Sequence, residues 1–183
     1  MKETGFTLVK SKLVYEGHII SLYIDKIKSP EGAILEREVI KHVDAVGIVA
    51  LNDKGEIVLV SQYRHPIKAR LLEIPAGLLA DSEDPATCAL RELKEETGYT
   101  AISMEKLAEF YTSAGFTDEK FFLYFSNIIE EGEPEREPGE EDMQVVTIPL
   151  KDAVEMASRG EIKDAKTLTA ILMAAQKIGR IEL

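Results

Sequence analysis

Three glutamates, Glu92, Glu95 and Glu96, crowd the end of the segment from Gly77 to Tyr99. Asp84 can cap a helix there whose first residue is Pro85, and Gly98 supplies a left-handed stop after Thr97. Ala86, Ala89, Leu90 and Leu93 then recur at helical spacing and are expected to face the core. That leaves Arg91, Glu92, Glu95 and Glu96 on the remaining arc, with Glu92 and Glu96 one turn apart. Like charges at that spacing cost an isolated helix roughly 0.2–0.5 kcal/mol per pair, and acids near a helix C-terminus also oppose the macrodipole. A bound divalent cation would relieve the repulsion. Converging carboxylate oxygens suit Mg²⁺, which usually keeps part of its water shell and is shared with substrate phosphates; Mn²⁺ is a possible substitute. In two-metal sites such ions polarise phosphorus, stabilise the leaving oxygen and acidify the attacking water. Taken alone, the triple reads more readily as a solvated acidic face.

The triple belongs to a longer pattern. Gly77, Glu83, Arg91, Glu92, Leu93, Glu95, Glu96, Gly98 and Tyr99 match the Nudix box, G-x5-E-x7-R-E-U-x-E-E-x-G-U with U apolar, at every fixed position. The chain therefore resembles a Nudix hydrolase. The resemblance implies an α/β (α+β) fold, an α/β/α sandwich with a mixed sheet, on which the box forms a loop–helix–loop. By position it implies that Glu92 and Glu96 are metal ligands. Glu95 becomes a further ligand or a water partner, and the carbonyl of Ala76 completes the coordination. It also implies that Arg91 and Glu83 form an ion pair orienting the helix.

Flanking segments resemble the ADP-ribose pyrophosphatase branch of that family, over about Tyr15 to Ala175. These are Gln62-Tyr63-Arg64, Leu72 to Gly77, and Phe110 to Glu119, which is similar to the branch's substrate loop and includes Gly115 and Phe116. The branch typically has proline where this chain has Ala114, and alanine leaves room for a more mobile loop or a shifted specificity. The resemblance implies that Arg37 and Arg64 hold diphosphate or terminal ribose, for which a planar fork suits better than lysine. Glu73 could accept hydrogen bonds from ribose hydroxyls, and Tyr23 could stack on a base or simply fill the core. In the branch a glutamate from the loop preceding a late strand serves as general base or ligand. Glu141 matches it best, with Glu140 as the neighbouring alternative. The implied reaction is magnesium-dependent hydrolysis of a nucleoside-diphosphate derivative, ADP-ribose first, giving AMP and ribose 5-phosphate. Other Nudix substrates (a sugar nucleotide, a dinucleoside polyphosphate, NADH) remain alternatives, as does a non-catalytic ADP-ribose-sensing module. The branch also suggests a homodimer with exchanged N-terminal strands.

The elements that must position these residues can be read from the patterning. Alternating runs from Thr7 to Lys28 and from Leu35 to Lys41, separated by Ser29-Pro30-Glu31-Gly32, predict antiparallel strands. Residues 1–41 are thus expected to form an N-terminal, dimer-forming strand extension, and residues 42–183 the hydrolase domain. Ala45 to Leu51 and Glu56 to Tyr63 form a hairpin about Asn52-Asp53-Lys54-Gly55. Phe121 to Ile129 and Gln144 to Ile148 read as strands on either side of an acidic loop, Glu130 to Asp142. Leu150 to Ser158 and Asp164 to Ile178 read as helices, the second with Leu168, Ile171, Leu172 and Ala175 on one stripe.

Composition limits the partners. The chain has 183 residues, 30% of them charged, with a formal net charge of -11. That balance argues against a general basic surface for nucleic acid or an anionic membrane. A single cysteine, Cys88, gives no disulfide framework and fits a reducing cytoplasm. Residues 1–12 lack the apolar core of a signal peptide, and no run approaches a membrane span. The expectation is one soluble cytoplasmic protein acting on a small molecule.

Overall fold

A computed structural model describes residues 5–136 and 141–179. At its centre lies the strand that the sequence marks by an unbroken apolar run, β4 (Ala45–Leu51), buried along its whole length. A strand apolar on both faces has to be covered on both. β4 pairs in parallel with β10 (Lys120–Ser126), Phe121 opposite Ala45, and antiparallel with β5 (Glu56–Arg64) and β7 (Ala76–Leu78). The turn between β4 and β5 uses Gly55 at a φ of 74°, while Asn52 Oδ1 accepts from the amides of Lys54 and Glu56. β6 (Ala69–Glu73) and β12 (Gln144–Pro149) also pair with β5, and β9 (Glu105–Tyr111) lies beyond β10. The sheet is mixed, as the resemblance implies.

Helices cover the sheet. α1 (Pro85–Thr97) packs Cys88, Ala89 and Leu93 against Val46, Ile48 and Ala50 of β4 and Val58 of β5. Gly47 points between these positions to the other face, where a Cβ would meet Phe121 at 2.6 Å and Ile74 at 2.8 Å. α2 (Leu150–Ser158) packs on β5 and β12, and α3 (Ala165–Lys177) on β4 and β6. Two helical stripes differ from the sequence pattern. Leu90 and Leu172, expected inside, are 37% and 39% exposed. The inner face of α1 instead runs through Ala89, Leu93, Glu96 and Thr97, so a buried carboxylate takes the place of an apolar residue. α3 buries Thr167, Ala170, Ile171, Ala174 and Ala175, small residues that allow close approach to β4. The run Phe121 to Ile129 also divides: β10 stops at Ser126, and a short β11 (Ile129–Glu130) pairs with β8 (Thr100–Ala101). Among the described residues no helix is long and apolar enough to cross a membrane.

The chain groups into two units, Ala45–Glu109 with Phe121–Leu183, and Met1–Asp44 with Phe110–Lys120. In the second unit β1 (Thr7–Glu16), β2 (Ile20–Lys28) and β3 (Ile34–His42) form an antiparallel meander. Gly32, at a φ of 91°, donates to the Ser29 carbonyl at 2.9 Å and closes its second turn. Within this unit the Phe110–Lys120 segment is laced to β3: the Ile40 amide donates to Phe116 O at 2.7 Å, and Lys41 Nζ meets Asp118 at 2.6 Å.

Candidate active site

α1 starts and stops where its sequence dictates. Asp84 accepts from the Thr87 amide at 3.0 Å, Pro85 opens the first turn, and Gly98 ends the helix at a φ of 82°. The helix thereby presents Glu92, Glu95 and Glu96 toward one short piece of backbone. The Ala76 amide donates to Glu96 Oε2 at 3.1 Å, and Glu96 is only 2% exposed. A Cβ on Gly77 would fall 2.0 Å from the carboxyl carbon of Glu92, so only glycine leaves room for that carboxylate against the backbone. Two carboxylates thus converge on Ala76-Gly77.

Arg91 ties the remaining acids together. It meets Glu83 through Nε–Oε1 at 3.0 Å and Nη2–Oε2 at 3.2 Å, the ion pair implied for these positions. Its Nη1 also lies 2.7 Å from Glu92 Oε1 and 2.8 Å from Glu95 Oε2. The guanidinium therefore offsets part of the repulsion that the helix pattern predicts. Hydrogen bonds from Arg91 and from the Ala80 amide hold the Glu83 carboxyl down to about 2. The same bond to Glu83, with the charge of Glu92, raises the Arg91 pKa, so Arg91 stays charged. Burial and the bond to Glu83 push the Cys88 thiol up to about 12, which removes it as a nucleophile near neutral pH. Among the described residues no three acidic, histidine or cysteine groups are gathered round one point as a preformed cage. Glu92 and Glu95 lean to Arg91, and Glu96 to the Ala76 amide. The donor set of hard carboxylate oxygens beside a main-chain strand still fits a divalent cation that keeps most of its water.

A second charged group lies on β5 and β6. Arg64 donates to both oxygens of Glu73, each at 2.7 Å, and the Glu73 side chain is 1% exposed. Glu73 thus sits beneath Arg64 rather than open to a ribose, which changes the role its sequence position suggested. Lys166 Nζ lies 3.6 Å from Glu73 and 2.6 Å from Asp164, and Asp164 in turn caps α3 through the Thr167 amide. Thr167 Oγ1 accepts from the Ile74 amide at 2.8 Å, fixing the backbone that leads into Ala76. The bond to Glu73 is the main cause of a raised Arg64 pKa, and the charge of Glu96 adds to it.

In the other unit Arg37, Gly115 and Phe116 line one cleft of about 390 Å³ together with Ile24, Glu36 and Glu38. Three sequence candidates are therefore brought together there. Tyr23 is not among the lining residues; it is half-buried, opposite Leu13 and Val39, and alternation turns it away from Ile24. The loop at Ala114 is an ordered turn in which the amides of Phe116 and Thr117 both donate to Ser113 O at 3.1 Å. Ala114 occupies its second position, where proline is favoured because its φ is preset. Glu141 is exposed and directly precedes Asp142, which Arg70 holds at 2.6 Å. Glu140 lies outside the described residues.

Sequence reasoning missed the parts supplied by long-range pairing. The contacts of Arg70 with Asp142, Lys166 with Glu73 and Thr167 with Ile74 carry no local signal, since each joins residues far apart in the chain. Gly77 could be placed in the box by spacing, but only the structure shows the carboxylate that fills the space of its missing side chain.

Comparison with known proteins bears on the family and the fold. A model of the NUDIX domain matches residues 41–171. An ADP-ribose pyrophosphatase of Bacillus subtilis is 38% identical over 172 residues, spanning 93% of this chain and 93% of its own. An ADP-ribose pyrophosphatase of Mycobacterium tuberculosis is 38% identical over 174 residues, spanning 94% of this chain and 84% of its own. A solved structure described as an ADP compounds hydrolase matches with a TM-score of 0.84 at 19% identity, covering 96% of this chain and 97% of that one.

Proposed function

This chain belongs to the Nudix family, and from that premise we propose that it hydrolyses the diphosphate of ADP-ribose to AMP and ribose 5-phosphate. The observation that carries the reading is the placement of Glu92 and Glu96 against Ala76-Gly77, with Arg91 and Glu83 locked beside them. Glu92, Glu95, Glu96 and the Ala76 carbonyl are the groups that would hold magnesium. Bound there, the metal supplies charge that neutralises the diphosphate and makes phosphorus more electrophilic.

The chain's own groups do the rest. The Glu83–Arg91 fork fixes the azimuth of α1, so the carboxylates do not have to be ordered during turnover. Arg64, held flat by the buried Glu73, presents its outer guanidinium edge to a phosphate or a ribose; Glu73 acts by positioning Arg64. Glu141 accepts a proton from the water whose oxygen forms the new bond to one phosphorus, while the bridging P–O bond breaks and the bridging oxygen leaves with the electron pair on the other phosphate. The cleft at Arg37, Gly115 and Phe116 takes a ring or ribose of the substrate. The exposed strands of residues 7–41 exchange with a second copy and help form its base pocket, in a homodimer that works in the cytoplasm.

A panel of ADP-ribose, a sugar nucleotide, a dinucleoside polyphosphate and NADH, compared by kcat/KM with magnesium present, tests the reading. ADP-ribose should lead the panel and release AMP. A higher kcat/KM for any other member would reassign the substrate, and tight ADP-ribose binding without turnover of any member would reassign the protein as a sensor.

A further inference from the structure

The groups that touch Glu141's neighbourhood come from a strand far away in the chain. Arg70, on β6, donates from Nη1 to Asp142 Oδ2 at 2.6 Å and from Nη2 to the Asp142 carbonyl at 2.7 Å. The same Nη2 donates to the Ser61 carbonyl at 2.8 Å, and Nε reaches Ser61 Oγ at 3.5 Å. Ser61 is also the residue opposite Gln144, where β12 enters the sheet, and Leu72 of β6. Met143, between Asp142 and that ladder, is 3% exposed. Three consecutive residues after Glu141 are therefore fixed, by a fork, by burial and by strand pairing. We infer that Arg70 is a positioning residue for Glu141: its fork on Asp142 sets where the backbone of Glu141 leaves the sheet.

The inference rests on the reading of Glu141 as the base. A surface ion pair with side chains 39% and 61% exposed adds little to global stability. The planar fork nevertheless gives direction, because two nitrogens held in one plane grip the side chain and the main chain of one residue, whereas a lysine offers a single nitrogen with no fixed plane. The strand that carries Arg70 also carries Glu73 and runs on toward Ala76. The fork thereby references the base to the same strand that references Arg64 and the metal-side backbone. An effect of position without an effect of stability is the expected signature.

The test is a kinetic double-mutant cycle with ADP-ribose and magnesium, using Arg70→Ala, Glu141→Gln and the double variant, each checked by thermal melting. Arg70→Ala should lower kcat by roughly ten- to a hundredfold with KM little changed, as a displaced catalytic group does. In the Glu141→Gln background the same substitution should cost almost nothing further. Equal losses in both backgrounds, or a wild-type kcat for Arg70→Ala, would overturn the inference while leaving the base assignment intact. A wild-type kcat for Glu141→Gln would overturn the base assignment, and the inference with it. Should Arg70→Ala not fold, Arg70→Lys, which keeps the stem and the charge but not the fork, enters the same cycle.

Discussion

Around α1 the charged side chains are turned on one another: Arg91 meets Glu83, Glu92 and Glu95, and Glu96 takes the Ala76 amide. The meander of β1, β2 and β3 is the reverse case, in which apolar side chains have no cover within their own unit. All ten residues of β1 are exposed, and Leu8, Val9, Val14 and Tyr15 are each at least half open to solvent. Neighbouring residues of a regularly paired strand point to opposite faces, and Lys12 and Leu13, opposite Ile24 and Tyr23, are both exposed, so neither face of β1 is covered there. The charged groups on α1 are organised by contacts within their own chain, whereas the meander leaves apolar side chains of β1 open to solvent. The difference separates what a point mutation can do in each place: chemistry at the first, assembly at the second.

Gly77→Ala should have a larger effect than any change at the meander, the ion pair or the turn. The added methyl lands on the Glu92 carboxylate, the far end of a flexible side chain, so the carboxylate moves and the fold survives. Turnover should fall by roughly a hundredfold or more with an unchanged melt; an active variant would remove Glu92 from the site. At the meander, light scattering should give a dimer for the native chain and a monomer for Val14→Glu. KM for that variant should rise by roughly tenfold, about 1.4 kcal/mol of lost binding. A native monomer with full activity would break the contrast drawn above.

Smaller effects follow from the ion pair and the turn. Glu83 titrates near 4.5 when unfolded and about 2 when folded, so its pairing stabilises the protein fully above about pH 4.5 and is lost as the pH falls toward 2. Glu83→Gln should therefore be less stable than the native chain at pH 7 by urea midpoint, with the gap closing below pH 4.5. An equal gap across that window would place the interaction elsewhere. Ala114→Pro should be the mildest change. Presetting the second position of the turn is worth about 0.4–1 kcal/mol, a rise in Tm of about 1–4 °C, with kcat/KM unaltered. A fall in Tm would mean that the turn does not accept proline's φ.

Much of this was legible in the sequence, for local reasons. The cap at Asp84, the stop at Gly98 and the spacing of Glu92, Glu95 and Glu96 all act within one helix, and helical geometry converts spacing into direction. The hairpin at Asn52-Asp53-Lys54-Gly55 and the burial of β4 were readable on the same terms. Burial that depends on what lies across the sheet was not. Leu90 and Leu172 fit an apolar stripe by type, but buried Glu96 and the small residues of α3 decided which way each helix faces. Glu73 looked available to a ribose because its partner, Arg64, lies on the neighbouring strand. The grouping of Arg37 with Gly115 and Phe116 likewise joins residues distant in sequence, and the resemblance alone supplied reasons for choosing each of them.

Magnesium-dependent release of AMP from ADP-ribose by the native chain and by Glu96→Gln tests the central claim most directly. Glu96 is the buried carboxylate beside the Ala76 amide, and glutamine keeps its shape and a hydrogen-bond acceptor while removing its charge. The account predicts that the native chain releases AMP only with a divalent cation present. It predicts for the variant an unchanged fold by circular dichroism and a loss of roughly a hundred- to a thousandfold in kcat. Native kcat in the folded variant at the same magnesium concentration would contradict it.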